Sequence, residues 1–134
     1  MERYLVDTNH LGRLIDARHP VRSRFHSSLA VGDVFYILLL IITETVAGLS
    51  ILPRATRNWA EWDVLRPSFA LLDLDEGDAI GAARLQVALR RRGRQLATVD
   101  ALIAAVALRN DLTLLTTDGD FSYVPALRLE SWLR

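Results

Sequence analysis

Residues 4–9 read Tyr4-Leu5-Val6-Asp7-Thr8-Asn9, a short apolar run followed by three polar side chains. The apolar run predicts a buried β-strand, and the Asp-Thr-Asn sequence both ends that strand and supplies N-cap chemistry for a helix. The spacing of Leu11, Leu14 and Ile15 predicts that helix. A strand that passes directly into a helix indicates an α/β fold.

Strands and helices alternate along the rest of the chain. Further strands are predicted at Val34–Leu40, Phe69–Leu72, Leu112–Leu115 and Leu127–Leu129. Helices are predicted at Val21–Leu29, Thr43–Leu49, Arg54–Leu65, Asp75–Arg92 and Ala97–Arg109, with Thr98 as the N-cap of the last. The alternation predicts an α/β three-layer sandwich, in which helices cover both faces of a central parallel sheet of four to five short strands. We expect residues 1–134 to form a single domain, because this is the length of one ordinary domain.

The composition is that of a globular protein, with 51% hydrophobic and 24% charged residues. The chain has no cysteine, which excludes disulfide bonds, thiolate zinc sites and a cysteine nucleophile, so any metal must be held by oxygen or histidine. The 16 basic residues balance 16 acidic ones, and all of the basic residues are arginine. This balance excludes binding of nucleic acid by a basic field over the whole surface and leaves only a local patch.

Nothing in the sequence predicts a membrane segment or a leader. The longest apolar run, Val34–Ile42, has nine residues, whereas a membrane-spanning helix needs roughly 20. The N-terminal residues Met1-Glu2-Arg3-Tyr4 lack the long apolar stretch and small-residue cleavage site of a secretory signal. We therefore expect a cytoplasmic protein.

Four acidic residues fall where an open α/β sheet places its functional site. Asp7 and Asp118 follow the first and fourth predicted strands. Glu44 lies in the first turn of the helix predicted after the second strand, and Asp100 in the first turn of the helix before the fourth. Ligands bind at the carboxyl ends of parallel strands, so we expect these side chains to converge. For each acid taken alone, the more common explanation is that a carboxylate in a first helical turn stabilises the helix N-terminus.

The neighbours of these acids favour the functional interpretation. Leu5-Val6 precedes Asp7 and Ala101-Leu102-Ile103 follows Asp100, so both carboxylates are expected to be poorly solvated. Two carboxylates about 4 Å apart repel each other by about 4 kcal/mol at an effective dielectric constant of about 20. A divalent cation removes this repulsion, and a set of oxygen ligands favours Mg²⁺ or Mn²⁺.

Four segments of the chain carry a family resemblance. They are residues 5–11 (Leu-Val-Asp-Thr-Asn-His-Leu), 42–49 (Ile-Thr-Glu-Thr-Val-Ala-Gly-Leu), 100–105 (Asp-Ala-Leu-Ile-Ala-Ala) and 116–121 (Thr-Thr-Asp-Gly-Asp-Phe). In this order they resemble the motifs of the PIN-domain ribonucleases, and among them those of the VapC-type toxins of bacterial toxin–antitoxin pairs. The resemblance extends over nearly the whole chain.

The resemblance implies a PIN fold with a catalytic, metal-binding cluster of Asp7, Glu44, Asp100 and Asp118. Asp120 either supplements or replaces Asp118 as the last metal ligand. Three polar residues are then expected to orient the carboxylates by hydrogen bonds: Thr8, Asn9 and Thr116.

The implied activity is that of a Mg²⁺-dependent endoribonuclease, with Mn²⁺ as an alternative ion, which acts as the toxin of a VapBC-type pair. Its substrate is RNA, whose phosphodiester bonds are hydrolysed at the four-carboxylate site. The implied protein partners are a cognate VapB-like antitoxin and a second copy of the chain in a homodimer.

Two groups of arginines are candidates for contacts with RNA or with a protein partner. They are Arg90, Arg91, Arg92 and Arg94, and Arg13, Arg18, Arg22 and Arg24. The planar guanidinium suits phosphate groups, and Arg13 and Arg91 are the predicted substrate contacts. The first group is also explained by a helix C-terminus that attracts positive charge, and the second equally fits an antitoxin-binding surface. The histidines show no metal-ligand spacing and are expected to be structural or exposed: His10, His19 and His26.

Two other functions fit parts of the sequence. A catalytically silent interaction or RNA-binding module of the PIN fold has no physical reason to keep a cluster of repelling acids. A receiver-like or phosphatase-like α/β domain also gathers acids at strand ends, but it needs a lysine beside an aspartyl nucleophile, and this chain has no lysine. The sequence therefore favours the nuclease.

Overall fold

Five parallel strands form the sheet in the computed structural model, which describes residues 1–133. The strands are β1 (Arg3–Val6), β2 (Val34–Leu38), β3 (Ala70–Leu72), β4 (Thr113–Leu115) and β5 (Leu129–Glu130). Their order in the sheet is β3-β2-β1-β4-β5, and every neighbouring pair is parallel. The predicted α/β class and parallel sheet are confirmed.

Six α-helices connect the strands. They are α1 (Thr8–Leu14), α2 (Pro20–Ala30), α3 (Leu39–Ser50), α4 (Ala55–Leu65), α5 (Glu76–Arg90) and α6 (Thr98–Arg109). Helix α1 contacts α2 and α3, α3 contacts α4, and α5 pairs with α6. The chain passes from β1 through β2 to β3 in one direction across the sheet and returns from β3 to β4 in the other. Because crossovers between parallel strands are right-handed, α1–α4 lie on one face of the sheet and α5 and α6 on the opposite face. Among the helices of residues 1–133, none has both the length and the apolar character of a membrane span.

Strand β1 lies at the centre of the sheet and sets the position of the first acid. Leu5 and Val6 are completely buried, as expected for a strand covered on both faces. Val6 pairs with Leu115 of β4, and the backbone N–H of Asp7 donates to the carbonyl of Leu115 at 3.0 Å. The residues that follow β1 and β4 therefore meet at the carboxyl edge of the sheet.

An aromatic cluster fastens the C-terminal segment to one face of the sheet. The ring of Tyr4 stacks on Phe35 with centroids 5.1 Å apart, and Phe25 of α2 meets Phe35 edge-on at 4.7 Å. Trp132, which follows β5, contacts the rings of Tyr4 and Phe35 at 5.4 and 5.7 Å. Aromatic pairs of this kind contribute about 0.5–1.5 kcal/mol each beyond the burial of their surface. The segment after β5 thus packs against the core.

The boundary between β2 and α3 differs from the prediction. Strand β2 ends at Leu38, and α3 begins at Leu39, whereas the sequence predicted a strand to Leu40 and a helix from Thr43. The apolar run from Val34 to Ile42 belongs partly to a buried strand and partly to a buried helix, and apolar runs of this kind do not distinguish the two. Glu44 therefore lies in the second turn of α3, and its predicted place in the first turn is wrong.

The start of α6 also differs in detail. Its N-cap is Ala97, which makes no side-chain cap hydrogen bond, so the prediction of Thr98 as N-cap is wrong. The hydroxyl of Thr98 instead accepts a hydrogen bond from the side-chain amide of Gln86 on α5 at 3.2 Å. The Thr98 hydroxyl, which local capping rules assign to the helix N-terminus, therefore takes part in the pairing of α5 with α6 instead. The remaining predicted boundaries agree with the structure to within one or two residues, apart from those of the first helix.

Candidate active site

Asp7 is held by hydrogen bonds at the carboxyl end of β1. Its side chain caps α1 by accepting from the backbone N–H of Thr8 at 2.8 Å, through Oδ1. Its other oxygen, Oδ2, accepts from the hydroxyl of Thr116 at 2.7 Å and from the amide of Asn9 at 3.4 Å. Burial raises the pKa of Asp7, and the hydrogen bonds from Thr116 and Thr8 oppose that rise. The three predicted orienting residues therefore lie at the site, and all three donate to Asp7: Asn9 and Thr116 through their side chains and Thr8 through its backbone.

Asp118 and Asp120 are brought together by the turn that follows β4. The backbone N–H of Asp118 donates to the hydroxyl of Thr116 at 3.0 Å, and Asp118 then caps a 3₁₀ turn, Gly119–Tyr123. In that cap its Oδ1 accepts from the backbone N–H of Asp120 at 2.9 Å. The two acids are thus positioned by the same local turn.

Asp100, in the first turn of α6, completes a compact group of carboxylates. One oxygen from each of Asp100, Asp118 and Asp120 lies within 4.8 Å of the others. The pKa of Asp100 is raised to about 6, first by burial and then by the charges of Asp118, Asp7, Asp120 and Glu44. The carboxylates therefore repel one another at neutral pH, as expected for converging acids.

Glu44 approaches the site from α3. Its Oε2 accepts a hydrogen bond from the hydroxyl of Thr8 at 3.1 Å, and its side chain is exposed to solvent. Within the described residues, the compact trio comprises Asp100, Asp118 and Asp120 and does not include Asp7 or Glu44. The structure thus brings all five predicted acids to one edge of the sheet. Asp120 lies in the compact trio together with Asp118.

The donor atoms of this site suit a hard divalent cation. The trio offers carboxylate oxygens alone, which is the ligand type that Mg²⁺ and Mn²⁺ prefer. The charges of the neighbouring carboxylates add to burial in raising the pKa of Asp100, so negative charge is in excess at this point. An ion held here would remove the repulsion that the fold imposes on its own carboxylates.

His10 is part of the site's hydrogen-bond network, although the sequence predicted only a structural or exposed histidine. It is completely buried, and its Nδ1 lies 2.8 Å from the side-chain oxygen of Asn9. Its Nε2 accepts from the backbone N–H of Trp132 at 3.0 Å. The proximity of His10 to Asn9 in the chain is visible in the sequence, but the contact with Trp132 joins residues far apart along it.

Arg22 is not available to an external partner. Its side chain is buried and donates to the carbonyl of Leu14 at 3.0 Å and to the carboxylate of Glu61 at 3.0 Å. It therefore joins the C-terminal end of α1 to α4. The prediction that placed Arg22 among the surface arginines is wrong, because helical spacing alone did not show which face of α2 is covered.

Three other arginines of the two predicted clusters differ in their contacts with the acidic turn, which is the turn that carries Asp118 and Asp120. Arg13 is exposed on α1, beside a groove, and Arg91 is exposed at the end of α5. Arg94 stacks over the ring of Tyr123, with Cζ 3.9 Å from the ring centroid. Tyr123 ends the 3₁₀ turn that carries Asp120, so Arg94 is the member of its cluster that the structure ties to the acidic turn.

A model of the family described as PIN domain matches residues 4–127. The chain belongs to the PIN-domain family. Ribonuclease VapC51 of Mycobacterium tuberculosis strain ATCC 25618/H37Rv is 32% identical to it over 131 residues, which cover 93% of this chain and 87% of that protein. Ribonuclease VapC2 of Rickettsia felis strain ATCC VR-1525/URRWXCal2 is 25% identical, over 96% of this chain and 97% of the relative. The predictions of a PIN-domain protein and of an enzyme of the VapC ribonuclease type are confirmed.

The fold of this PIN domain also matches solved structures. The crystal structure of VapBC2 from Rickettsia felis, bound to a DNA fragment from its promoter, superposes with a TM-score of 0.84 at 23% identity. The match covers 98% of this chain and 99% of the other. The predicted PIN-like sandwich is therefore confirmed.

Proposed function

We propose that this PIN domain is a Mg²⁺-dependent endoribonuclease that acts as the toxin of a VapBC-type toxin–antitoxin pair. The observation that carries the proposal is the group of carboxylate oxygens from Asp100, Asp118 and Asp120, which lie within 4.8 Å of one another at the carboxyl edge of the sheet. Asp7 and Glu44 complete the catalytic set. We assign residues 1–134 to this one functional domain.

The ligands of the ion are assigned from the positions of the acids. Asp100, Asp118 and Asp120 would hold it together with Asp7, whose carboxylate is fixed by Thr8 and Thr116. The chemistry that Mg²⁺, or Mn²⁺ in its place, supplies in such a site is polarisation of the scissile phosphate and activation of a water molecule.

The remaining carboxylate is suited to proton transfer. Glu44 is exposed, lies outside the compact trio and has one oxygen bound to the hydroxyl of Thr8. We assign to Glu44 the acceptance of the proton that the attacking water loses. A general base must be positioned within hydrogen-bond reach of that water, and the bond to Thr8 provides the positioning.

Contacts with the RNA backbone are assigned to exposed arginines. Arg94 is the closest candidate, because Tyr123 holds its guanidinium beside the turn that carries Asp120. Arg91, which is exposed at the end of α5, is assigned a second contact with the RNA backbone. Arg13 lies on α1 and is assigned to the periphery of the RNA path. We also propose that the reaction takes place in the cytoplasm, as predicted from the sequence.

We assign the binding of an acidic segment of a VapB-like antitoxin to a groove between α1 and α4. The groove has a volume of about 300 Å³, and its walls include Arg13, Arg54 and Arg57 together with the apolar side chains of Leu49 and Leu52. Its two acidic residues, Asp16 and Glu61, form ion pairs with Arg18 and Arg22. A peptide with carboxylates and apolar side chains would match both kinds of wall. We further propose that the toxin is a homodimer, as the sequence analysis expected.

A catalytically silent module of the same fold is the alternative. It would bind RNA or a partner without cleavage, and in that case nothing would offset the burial and the carboxylate repulsion that together raise the pKa of Asp100 to about 6. This repulsion favours the nuclease.

Replacement of Asp100 tests the proposal. In the presence of Mg²⁺ we expect the wild-type protein to cleave RNA and the Asp100→Asn variant to lose at least about 100-fold of that rate, because a direct ligand is removed. Asp63→Asn, an exposed change on α4, is the matched control and should leave the rate unchanged. Cleavage by Asp100→Asn at the wild-type rate, or undiminished cleavage in the presence of a chelator, would contradict the proposed site.

A further inference from the structure

We propose that His10 is a positioning residue, which sets the orientation of the Asn9 side-chain amide and through it holds the Asp7 carboxylate ready for the metal ion. The inference rests on the proposed function, because it takes Asp7 to be part of the metal site. His10 would act through Asn9, without contact with the metal ion or the substrate.

The hydrogen bonds of His10 define its tautomer. A backbone N–H can only donate, so the contact with Trp132 at 3.0 Å makes Nε2 of His10 an acceptor. The proton of the neutral ring must then be on Nδ1, which lies 2.8 Å from the side-chain oxygen of Asn9 and donates to it. Burial lowers the pKa of His10 to about 4, with a further contribution from Arg24, so the ring stays neutral at physiological pH.

The orientation of Asn9 follows from that donor. Its Oδ1 accepts from His10 and, at 3.3 Å, from the backbone N–H of Thr117. Its Nδ2 must therefore point the other way, where it lies 3.4 Å from both Asp7 Oδ2 and the hydroxyl of Thr116. A reversed amide would place an oxygen against the carboxylate and a nitrogen against the histidine donor, so both contacts would become repulsive.

The same histidine links the site to the C-terminal segment. Trp132 is anchored on the aromatic cluster by its contacts with Tyr4 and Phe35, and the guanidinium of Arg24 lies 4.1 Å from its ring centroid. The backbone of a well-packed residue therefore determines which nitrogen of His10 carries the proton. Support of this kind, in which a residue behind the ligands fixes their orientation, commonly changes metal affinity by 10–100-fold.

The tautomer can be tested in the wild-type protein without any variant. We expect the ¹⁵N shifts of the His10 ring, measured by long-range ¹H–¹⁵N correlation in metal-free protein at pH 7, to show a protonated Nδ1 and an unprotonated Nε2. A proton on Nε2 would overturn the inference whether or not the protein binds a metal.

Two conservative variants separate the two bonds of His10. In His10→Asn the new amide nitrogen takes the place of Nδ1 and keeps the donor to Asn9, whereas in His10→Gln the new oxygen takes the place of Nε2 and keeps only the bond from Trp132. We expect His10→Asn to retain the wild-type Kd for Mn²⁺ in calorimetric titration and His10→Gln to raise it about tenfold. For RNA cleavage, KM should be unchanged in His10→Gln, and the lost kcat should return in excess Mg²⁺. Equal metal affinities of the two variants would overturn the inference.

The Asp100→Asn variant distinguishes failure of this inference from failure of the proposed function. If wild type binds Mn²⁺ more tightly than Asp100→Asn but the two His10 variants bind alike, only the role of His10 is wrong. If wild type and Asp100→Asn bind equally weakly, the metal site itself is wrong, and the inference about His10 falls with it.

Discussion

Asp100 joins the chemistry of the site to the stability of the protein. Its pKa is raised to about 6 by burial and by the neighbouring carboxylates. The folded state therefore favours the protonated form, and this contribution to stability is complete below the ordinary pKa of 3.8. It is lost as the pH rises through about 6, so the metal-free protein is less stable at neutral pH than at acidic pH on account of this residue.

The Asp100→Asn variant should therefore be more stable than wild type when no metal is present. We expect its free energy of unfolding at pH 7.5 to exceed that of wild type by about 1–2 kcal/mol, after allowance for partial screening by solvent. Urea unfolding in the presence of a chelator measures the difference, which should vanish near pH 4. Mg²⁺ should stabilise wild type and leave the variant unchanged. A variant less stable than wild type at pH 7.5 would mean that Asp100 is not under repulsion.

At the scale of secondary structure, α5 depends on a buried acid in its first turn. Asp75 and Asp78 form a capping box, in which each side chain accepts from the backbone N–H of the other. The buried carboxylate of Asp78 also accepts two hydrogen bonds from Arg109 at the end of α6, at 2.6 and 2.8 Å. These bonds hold the pKa of Asp78 below its usual range. One residue thus fixes both the start of α5 and the pairing of α5 with α6.

Loss of this contact should destabilise the fold without direct effect on the acidic site. We expect Asp78→Ala to lower the free energy of unfolding at pH 7 by about 2 kcal/mol, because a helix cap and a charged hydrogen bond are removed together. Because the folded pKa is lowered, the wild-type advantage is present above the ordinary pKa and is lost as the pH falls through the lowered value. Urea unfolding at pH 7 and at pH 3 checks both statements. The exposed change Asp63→Ala is the control, and equal effects of the two changes would contradict this role.

At the scale of the whole molecule, the balance of 16 arginines and 16 acidic residues conceals an uneven distribution. Five of the acids gather at one edge of the sheet. Arg94 is exposed beside the acidic turn, and Arg91 is exposed at the end of α5. A positive surface of this kind is suited to the phosphates of a polyanion, and the anionic site beside it is suited to the cation that cleavage of the polyanion needs.

This distribution predicts how RNA binding depends on salt. In an Asp100→Asn background, where RNA stays intact, we expect Arg94→Gln to reduce the slope of log Kd against log salt concentration by about 0.7, the value for one phosphate contact of a single strand. Arg57→Gln, which changes the groove on α4, should leave the slope unchanged. Fluorescence anisotropy at several salt concentrations measures both slopes. An unchanged slope in Arg94→Gln would remove Arg94 from the RNA path.

The sequence was sufficient to predict the arrangement of the fold and the acids that meet at its edge. Short apolar strands alternate with helices, and Asp7 and Asp118 each follow a strand, so a parallel sheet brings them together. The boundary at Leu39 could not be predicted, because no polar residue separates β2 from α3. The burial of Arg22 and the bond from Trp132 to His10 depend on contacts between distant parts of the chain, and a single sequence holds no pattern for them.

The central claim is that the carboxylate cluster binds a divalent cation that contacts the scissile phosphate. The most direct test is to replace a non-bridging oxygen of that phosphate by sulfur, in an RNA that the wild-type protein cleaves. We predict that the substitution slows cleavage strongly in Mg²⁺ and that Mn²⁺, which tolerates sulfur ligands better, restores the rate. An equal loss of rate in the two ions, for both configurations at phosphorus, would contradict direct contact between the metal and the phosphate.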